Sequence, residues 1–272
     1  FSECAVSVAA QAADIEWIIT DDGSSDDAAT SYRQIVDTVA GHVPVQFITL
    51  PQRSGLSRAR NVALENARGR WVIVLDSDDR LAPNLSSELI ALPSHLGLIA
   101  FEAAYFNDDA YEVRRIRYFE QLFTSYGGTI LDPFLWFDFY YHGIVAQKNL
   151  LRRIGGYLDE LEVGEDQDIL FRAVEALPRG EVHFVHKIGY EYRDNPAGVC
   201  RQQWDAVKCN YTATMLAAAN RRGANFRDCR FAGTKDVDGC QVDQYEYLTV
   251  RGEWLSWDTG QIAHQEMQGL SA

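Results

Sequence analysis

Residues 55–79 read GLSRARNVALENARGRWVIVLDSDD, and a change of apolar period inside this stretch decides the fold. Over Ser57–Ala67 the apolar residues Ala59, Val62, Ala63 and Ala67 fall on one face of a helix. Ser57 stands where it can cap the start, and Gly69 follows the end. Trp71-Val72-Ile73-Val74-Leu75 is then an unbroken apolar run, the pattern of a strand buried on both faces, and it stops at Asp76-Ser77-Asp78-Asp79.

Upstream the same alternation recurs. Residues 2–12 read as a helix, and the apolar run Glu16–Thr20 stops at Asp21-Asp22-Gly23-Ser24-Ser25. Tyr32–Ala40 has helical spacing, and Val45–Leu50 is a short β-branched run between prolines. Downstream, Gly97–Phe101, Glu112–Tyr118 and Gly143–Gln147 read as strands, and Lys148–Ile154 and Glu165–Ala176 as helices. Val182–Arg193 alternates like an edge strand, 202–222 is a long helical candidate, and Val242–Val250 with Arg251–Trp257 reads as a hairpin. Alternating strands and helices imply an α/β chain with a mostly parallel central sheet and helices on both faces. Ligands of such sheets sit at the carboxyl ends of the strands, where both Asp clusters fall.

The 272 residues, 47% of them hydrophobic, suffice for a sizeable core. A net charge of -14 argues against a nucleic-acid binder, since phosphate backbones are held mainly by surplus Lys and Arg. An acidic chain that binds phosphates usually needs a cation. Five cysteines, widely spaced and without a CxxC pair, point to a reducing cytoplasm. No apolar run reaches the roughly 18 residues of a membrane span, and no basic segment followed by an apolar one opens the sequence.

Three acidic clusters are candidates for chemistry. Asp76 and Asp78, one residue apart on extended backbone, would point the same way and converge on one hard cation, Mg2+ or Mn2+; the same residues would also form a simple Asp turn. Asp21 and Asp22 could accept hydrogen bonds from a nucleobase or ribose, or belong to an Asp-Gly turn. Glu165, Asp166 and Asp168 open a helix, where acids complement the dipole. The alternative for Asp166 is a general base that deprotonates an acceptor hydroxyl. His183 and His186, three apart on a strand, would face opposite ways and share no ion. The aromatic run 134–142 reads mostly as core, with Trp136 and His142 as candidates for acceptor contact.

In series, DDGSS at 21–25, the quoted stretch 55–79 and GGYLDELEVGEDQDILFRA at 155–173 resemble family 2 glycosyltransferases, over about residues 2–201. The resemblance implies the type-A glycosyltransferase (GT-A) fold, an inverting transfer, a nucleoside-diphosphate sugar donor (uridine or thymidine type) and a divalent metal. By position, Asp22 with Asp21 resembles the nucleoside-binding acid, and Asp76-Ser77-Asp78 the DxD motif. Asp78 is then the direct metal ligand, with Asp76 on the ribose side or also at the metal. Asp166 resembles the catalytic base, with Glu165 orienting the acceptor. Arg58 and Arg60 lie in the segment that flanks the nucleotide, and Arg193 in the strand and loop that close over the diphosphate; solvated charges on a helix and an edge strand are the alternatives.

The expected organisation is a glycosyltransferase domain over 1–201, with a nucleotide-sugar half (1–100) and an acceptor half (101–201), followed by a helical and hairpin extension over 202–272. Family members usually open with an apolar strand ahead of the helix matched by 2–12, and that strand is expected in the intact protein. The QxxRW signature of processive members is absent from the sequence, which favours transfer of a single sugar. The acceptor is a small molecule or glycan, and a homo-oligomer is possible. The competing readings are a noncatalytic nucleotide-sugar binder of the same fold and a sugar-phosphate nucleotidyltransferase. The second should carry a Gly-rich activating loop near its N-terminus, and none is seen.

Overall fold

In the computed structural model the described residues are all except 13, 115–141, 162, 179, 197, 199–203, 222, 224, 238–239 and 257–272. The first half alternates as α1 (Ser2–Ala9), β1 (Trp17–Asp21), α2 (Asp26–Asp37), β2 (Val45–Thr49), α3 (Leu56–Asn66) and β3 (Trp71–Ile73). There follow β4 (Arg80–Leu81), α4 (Leu85–Ala91), β5 (Leu98–Phe106), β6 (Tyr111–Arg114), β7 (Ile144–Gln147) and α5 (Lys148–Arg153). The last elements are α6 (Glu165–Glu175), β8 (Val182–Arg193), α7 (Trp204–Arg221), β9 (Asp228–Val237), β10 (Cys240–Leu248) and β11 (Trp254–Ser256).

β1 and β2 pair in parallel, while the main sheet runs β3-β7-β5-β8-β4 with β6 added to β5. β5 is central because LIAFEAAYF buries nearly every side chain, so it needs cover on both faces and partners on both edges. The α/β class stands, but two expectations about the sheet do not. Among the described pairings of the main sheet only β5 with β8 is parallel, and β3·β7, β5·β7, β4·β8 and β5·β6 are antiparallel. β8 is also no edge strand, since β5 and β4 flank it. Its alternation reflects half-burial on one face rather than an open edge.

Helices cover both faces. Val8, Leu81, Leu85, Ile99, Phe101 and Tyr190 share one core cluster, and Leu64, Ala146, Leu151, Tyr157 and Ile169 another. A third joins α6 to the C-terminal part: Phe171 packs with Met215, Ala218 and Ala219 of α7 and with Tyr245 and Tyr247 of β10. The expected hairpin is β10 with β11, and β9 adds a third antiparallel strand that the sequence reading had not assigned. The segment DCRFAGTKDV hides its strand character because charges and an internal glycine interrupt it.

Candidate active site

The turn after β3 brings the first acids into place. Asp79 N–H donates to the Asp76 carbonyl at 3.1 Å, so 76–79 is a turn, the alternative the sequence offered beside an extended strand end. Asp79 causes this: it is 1% exposed, and its carboxylate accepts from Tyr190 Oη at 2.6 Å and from Arg193 N–H at 2.6 Å. Burial pushes the Asp79 carboxyl up to about 7 against the pull of those two bonds. Ser77 is exposed, and Asp78 is half-buried with Oδ2 accepting from Asn195 Nδ2 at 3.3 Å. Arg193 Nε donates to the Asp78 carbonyl at 3.0 Å, which sets this guanidinium beside the turn.

The second acid arrives on α6. Gly164 is its N-cap in the left-handed region (φ 83°), and a Cβ there would come within 3.2 Å of the Tyr211 ring on α7. The chain therefore enters α6 close against α7, with Glu165, Gln167 and Asp168 buried. Asp168 pairs with Arg172 at 2.6 Å and is structural. Asp166 is half-buried, accepts from Gln167 N–H at 2.7 Å and reaches a cavity of about 80 Å³.

That cavity also takes in Asp76, Arg60, His142, Tyr157 and Tyr190 around a floor that includes Val72, Val74 and Ile169. Arg60 ties its two sides together, donating to Asp76 Oδ1 at 3.0 Å and to Glu165 Oε1 at 2.5 Å. Burial opposes the Arg60 charge, but Asp76, Tyr157 and Glu165 outweigh it and raise its pKa. Burial and then Asp166 push Glu165 up to about 7, against Arg60. Asp166 is likewise raised by burial, against the pull of Arg60. His142 lies on Tyr192 with ring centroids 4.2 Å apart.

Several sequence expectations resolve differently. Of the two arginines on α3, Arg60 turns inward while Arg58 stays at the surface, 4.0 Å from Asp159. Ser57 does not cap α3; the N-cap is Gly55, and Ser57 Oγ donates to the Leu161 carbonyl at 2.7 Å. Asp22 secures that helix start instead, accepting from Ser54 N–H at 2.6 Å and Gly55 N–H at 2.9 Å. Each of its oxygens keeps a lone pair for a further donor. Asp21 is buried, accepts from Ser24 N–H at 3.1 Å through Oδ1, and has Oδ2 without a partner among the described residues. Gly23, with φ 73°, allows the turn after it, since a Cβ would meet Arg53 N at 2.6 Å. Asp78 does not line the cavity that Asp76 shares with Asp166. Trp136 lies outside the described residues.

Four residues of the site had been given no role from the sequence: Asn61, Asp79, Tyr157 and Tyr190. Asn61 Nδ2 donates to the Tyr157 carbonyl and to Asp159 Oδ1, both at 2.8 Å, and so fastens α3 to the loop before α6. The adjacency Arg60-Asn61 was the available signal. For Asp79 nothing in an acidic run tells the buried carboxylate from its solvated neighbours.

The sequence model described as glycosyl transferase family 2 matches residues 2–155. The chain belongs to that family. Among the relatives of this family 2 chain, the O-antigen biosynthesis protein RfbC of Myxococcus xanthus is 25% identical over 175 residues, 64% of this chain and 13% of RfbC. Across six curated relatives the matches span 10% to 26% of their length. In fold, the family 2 chain is similar to S. aureus TarS in complex with UDP-GlcNAc, with TM-score 0.62, 19% identity, and 80% of this chain and 61% of that one covered. It is also similar to the mannosyltransferase PcManGT of Pyrobaculum calidifontis in complex with GDP-Man and Mn2+, with TM-score 0.56, 17% identity, and 79% and 59% covered. These likenesses establish the GT-A architecture. No described helix is long and apolar enough to cross a membrane.

The family implies a divalent metal. Among the described residues no group of three or more His, Cys, Asp or Glu gathers as a metal site, and the carboxylates that the DxD resemblance points to are the pair Asp76 and Asp78. An oxygen-only pair suits Mg2+ or Mn2+, which commonly take one or two carboxylates and complete their shell with substrate phosphates and water. The donor set fits the ion in that form.

Proposed function

We propose that this chain is an inverting glycosyltransferase that moves one sugar from a nucleoside-diphosphate sugar, of uridine or thymidine type, to an acceptor hydroxyl. The observation that carries the reading is the single cavity onto which Asp76 and Asp166 both open, bridged by Arg60. Asp166 takes the proton from the acceptor hydroxyl as its oxygen attacks the anomeric carbon. The bond from that carbon to the phosphate oxygen breaks, and the nucleoside diphosphate leaves with the electron pair. Asp76 and Asp78 would hold the cation, which when bound neutralises charge on the diphosphate. Arg193 lies beside Asp78 on the diphosphate side, and Asp21 and Asp22 serve the nucleoside. Glu165 and His142 face the acceptor side, Glu165 by holding Arg60. α7 contributes by packing Tyr211 and Thr214 behind Gly164, at the entry to α6. The free, buried thiols of Cys4 and Cys229 accord with a reducing compartment.

Ligand binding tests the reading most directly. With Mn2+ present, UDP, dTDP or their sugars should raise the melting temperature, by an amount corresponding to about 2.7 kcal/mol at a hundred times the dissociation constant. EDTA should remove the shift. A flat response to every nucleoside diphosphate and its sugar would overturn the proposal.

The acids also set opposite pH trends for rate and stability. A protonated Asp166 cannot accept the hydroxyl proton, and its pKa is raised, so kcat/KM should rise with pH along a limb displaced above the ordinary aspartate value of 3.8. Asp79 and Glu165 are pushed up to about 7, so between their unfolded values and that pH the folded state binds more protons than the unfolded chain. Stability of the unliganded protein should therefore fall as pH rises from about 5 to 7. Melting curves and rate profiles over that window check both signs.

A further inference from the structure

We propose that Tyr190 and Asp79 are positioning residues, a buried pair that presets the Asp76–Asp78 turn for the cation-bound diphosphate. This rests on the function proposed above. Tyr190 is 2% exposed and its ring belongs to the core, which packing alone would explain. Its hydroxyl is what packing does not explain. Oη donates to Asp79 Oδ2 at 2.6 Å and accepts from Asp76 N–H at 3.2 Å. From the same strand, Arg193 N–H donates to Asp79 Oδ1 at 2.6 Å and Arg193 Nε to the Asp78 carbonyl at 3.0 Å. The turn is closed on itself by Asp79 N–H on the Asp76 carbonyl at 3.1 Å. β8 thus holds both ends of the Asp76–Asp79 segment, and the two carboxylates offered to the cation hang from a frame that neither of them builds.

Such outer hydrogen-bonding partners orient ligating carboxylates, and their loss commonly costs about 10–100-fold in metal affinity. Tyr190→Phe keeps the ring, its volume and its contact with His142, and removes only the hydroxyl. Asp79→Asn can still accept from Arg193 N–H and can donate to Tyr190 Oη, whereas Asp79→Ala can do neither.

The test titrates Mn2+ into the full chain with saturating UDP, or dTDP, following free Mn2+ by electron paramagnetic resonance, and circular dichroism confirms folding. Tyr190→Phe should bind Mn2+ about 10–100-fold more weakly while staying folded. Asp79→Asn should lie closer to the unaltered protein than Asp79→Ala does, which decides the matter if Tyr190→Phe fails to fold. Equal Mn2+ affinity in the unaltered protein and the folded variants would overturn this assignment and leave the function proposal standing. No Mn2+ binding by the unaltered protein with either nucleotide would remove both.

Discussion

Asp166→Asn should lower kcat about 10²–10⁴-fold and leave donor binding nearly intact, the contribution usual for a positioned general base. Asparagine has the shape of aspartate, so Oδ1 can still accept from Gln167 N–H, the bond that now orients the side chain at 2.7 Å. What disappears is the lone pair that takes the acceptor's proton. The donor should not sense the change, because the proposed function gives its contacts to the turn after β3 and to the end of β1. The measurements are kcat with a donor and acceptor found by screening, and donor affinity by calorimetry. Asp168→Asn is the comparison, since Asp168 lies two residues away yet is committed to Arg172 at 2.6 Å and Arg221 at 3.6 Å. It should lower stability without the selective loss of turnover. Transfer by Asp166→Asn at the unaltered rate would remove Asp166 from the chemistry.

The contrast between those two aspartates shows what the sequence carried and what it did not. The order from α1 to β3, and then β5 and β6, was legible because each of these elements has one dominant apolar period, whereas the short β4 and α4 between them were not assigned. That the acid cluster of α6 includes one carboxylate at the cavity and two buried ones was not legible, because all three satisfy the same rule for acids in a first turn. The direction of β7 was hidden too: IVAQ reads the same whether it runs parallel or antiparallel to β5. For Asp76 and Asp78 the sequence left an extended strand end and an Asp turn open, and the bonds of the buried Asp79 accompany the turn. Tyr190 lay in the strand and loop that the resemblance sets over the diphosphate, but it was given no role of its own, since no pattern records where a hydroxyl points. The sequence thus located the strand ends where chemistry gathers, while hydrogen bonds between residues more than a hundred positions apart decided which side chain does what.

Arg60→Leu should be the most damaging single change to the site as a whole. Its side chain is 12% exposed, and its fork spans Asp76 at 3.0 Å and Glu165 at 2.5 Å, whose side chains are 41% and 6% exposed. Removing one partner of a buried pair typically costs about 3–5 kcal/mol, because a charge is left in a poor solvent. Here most of that cost belongs to Glu165, since Asp76 remains well hydrated and its share is screened. Glu165 can also escape by taking up a proton, so the loss should be smallest at low pH and grow toward neutrality. Adding Glu165→Gln to Arg60→Leu removes the stranded charge, so a large part of the stability should return, as read from urea midpoints. Transfer should not return with it, because the guanidinium that couples the Asp76 side of the cavity to the Asp166 side is still missing. Arg60→Lys keeps a charge but has no fork, so it can hold one carboxylate and not both; it should recover stability more than kcat/KM. If the double variant regained stability and turnover together, Arg60 would be a structural counter-ion and nothing more, and the link between the two acids would have to be sought elsewhere.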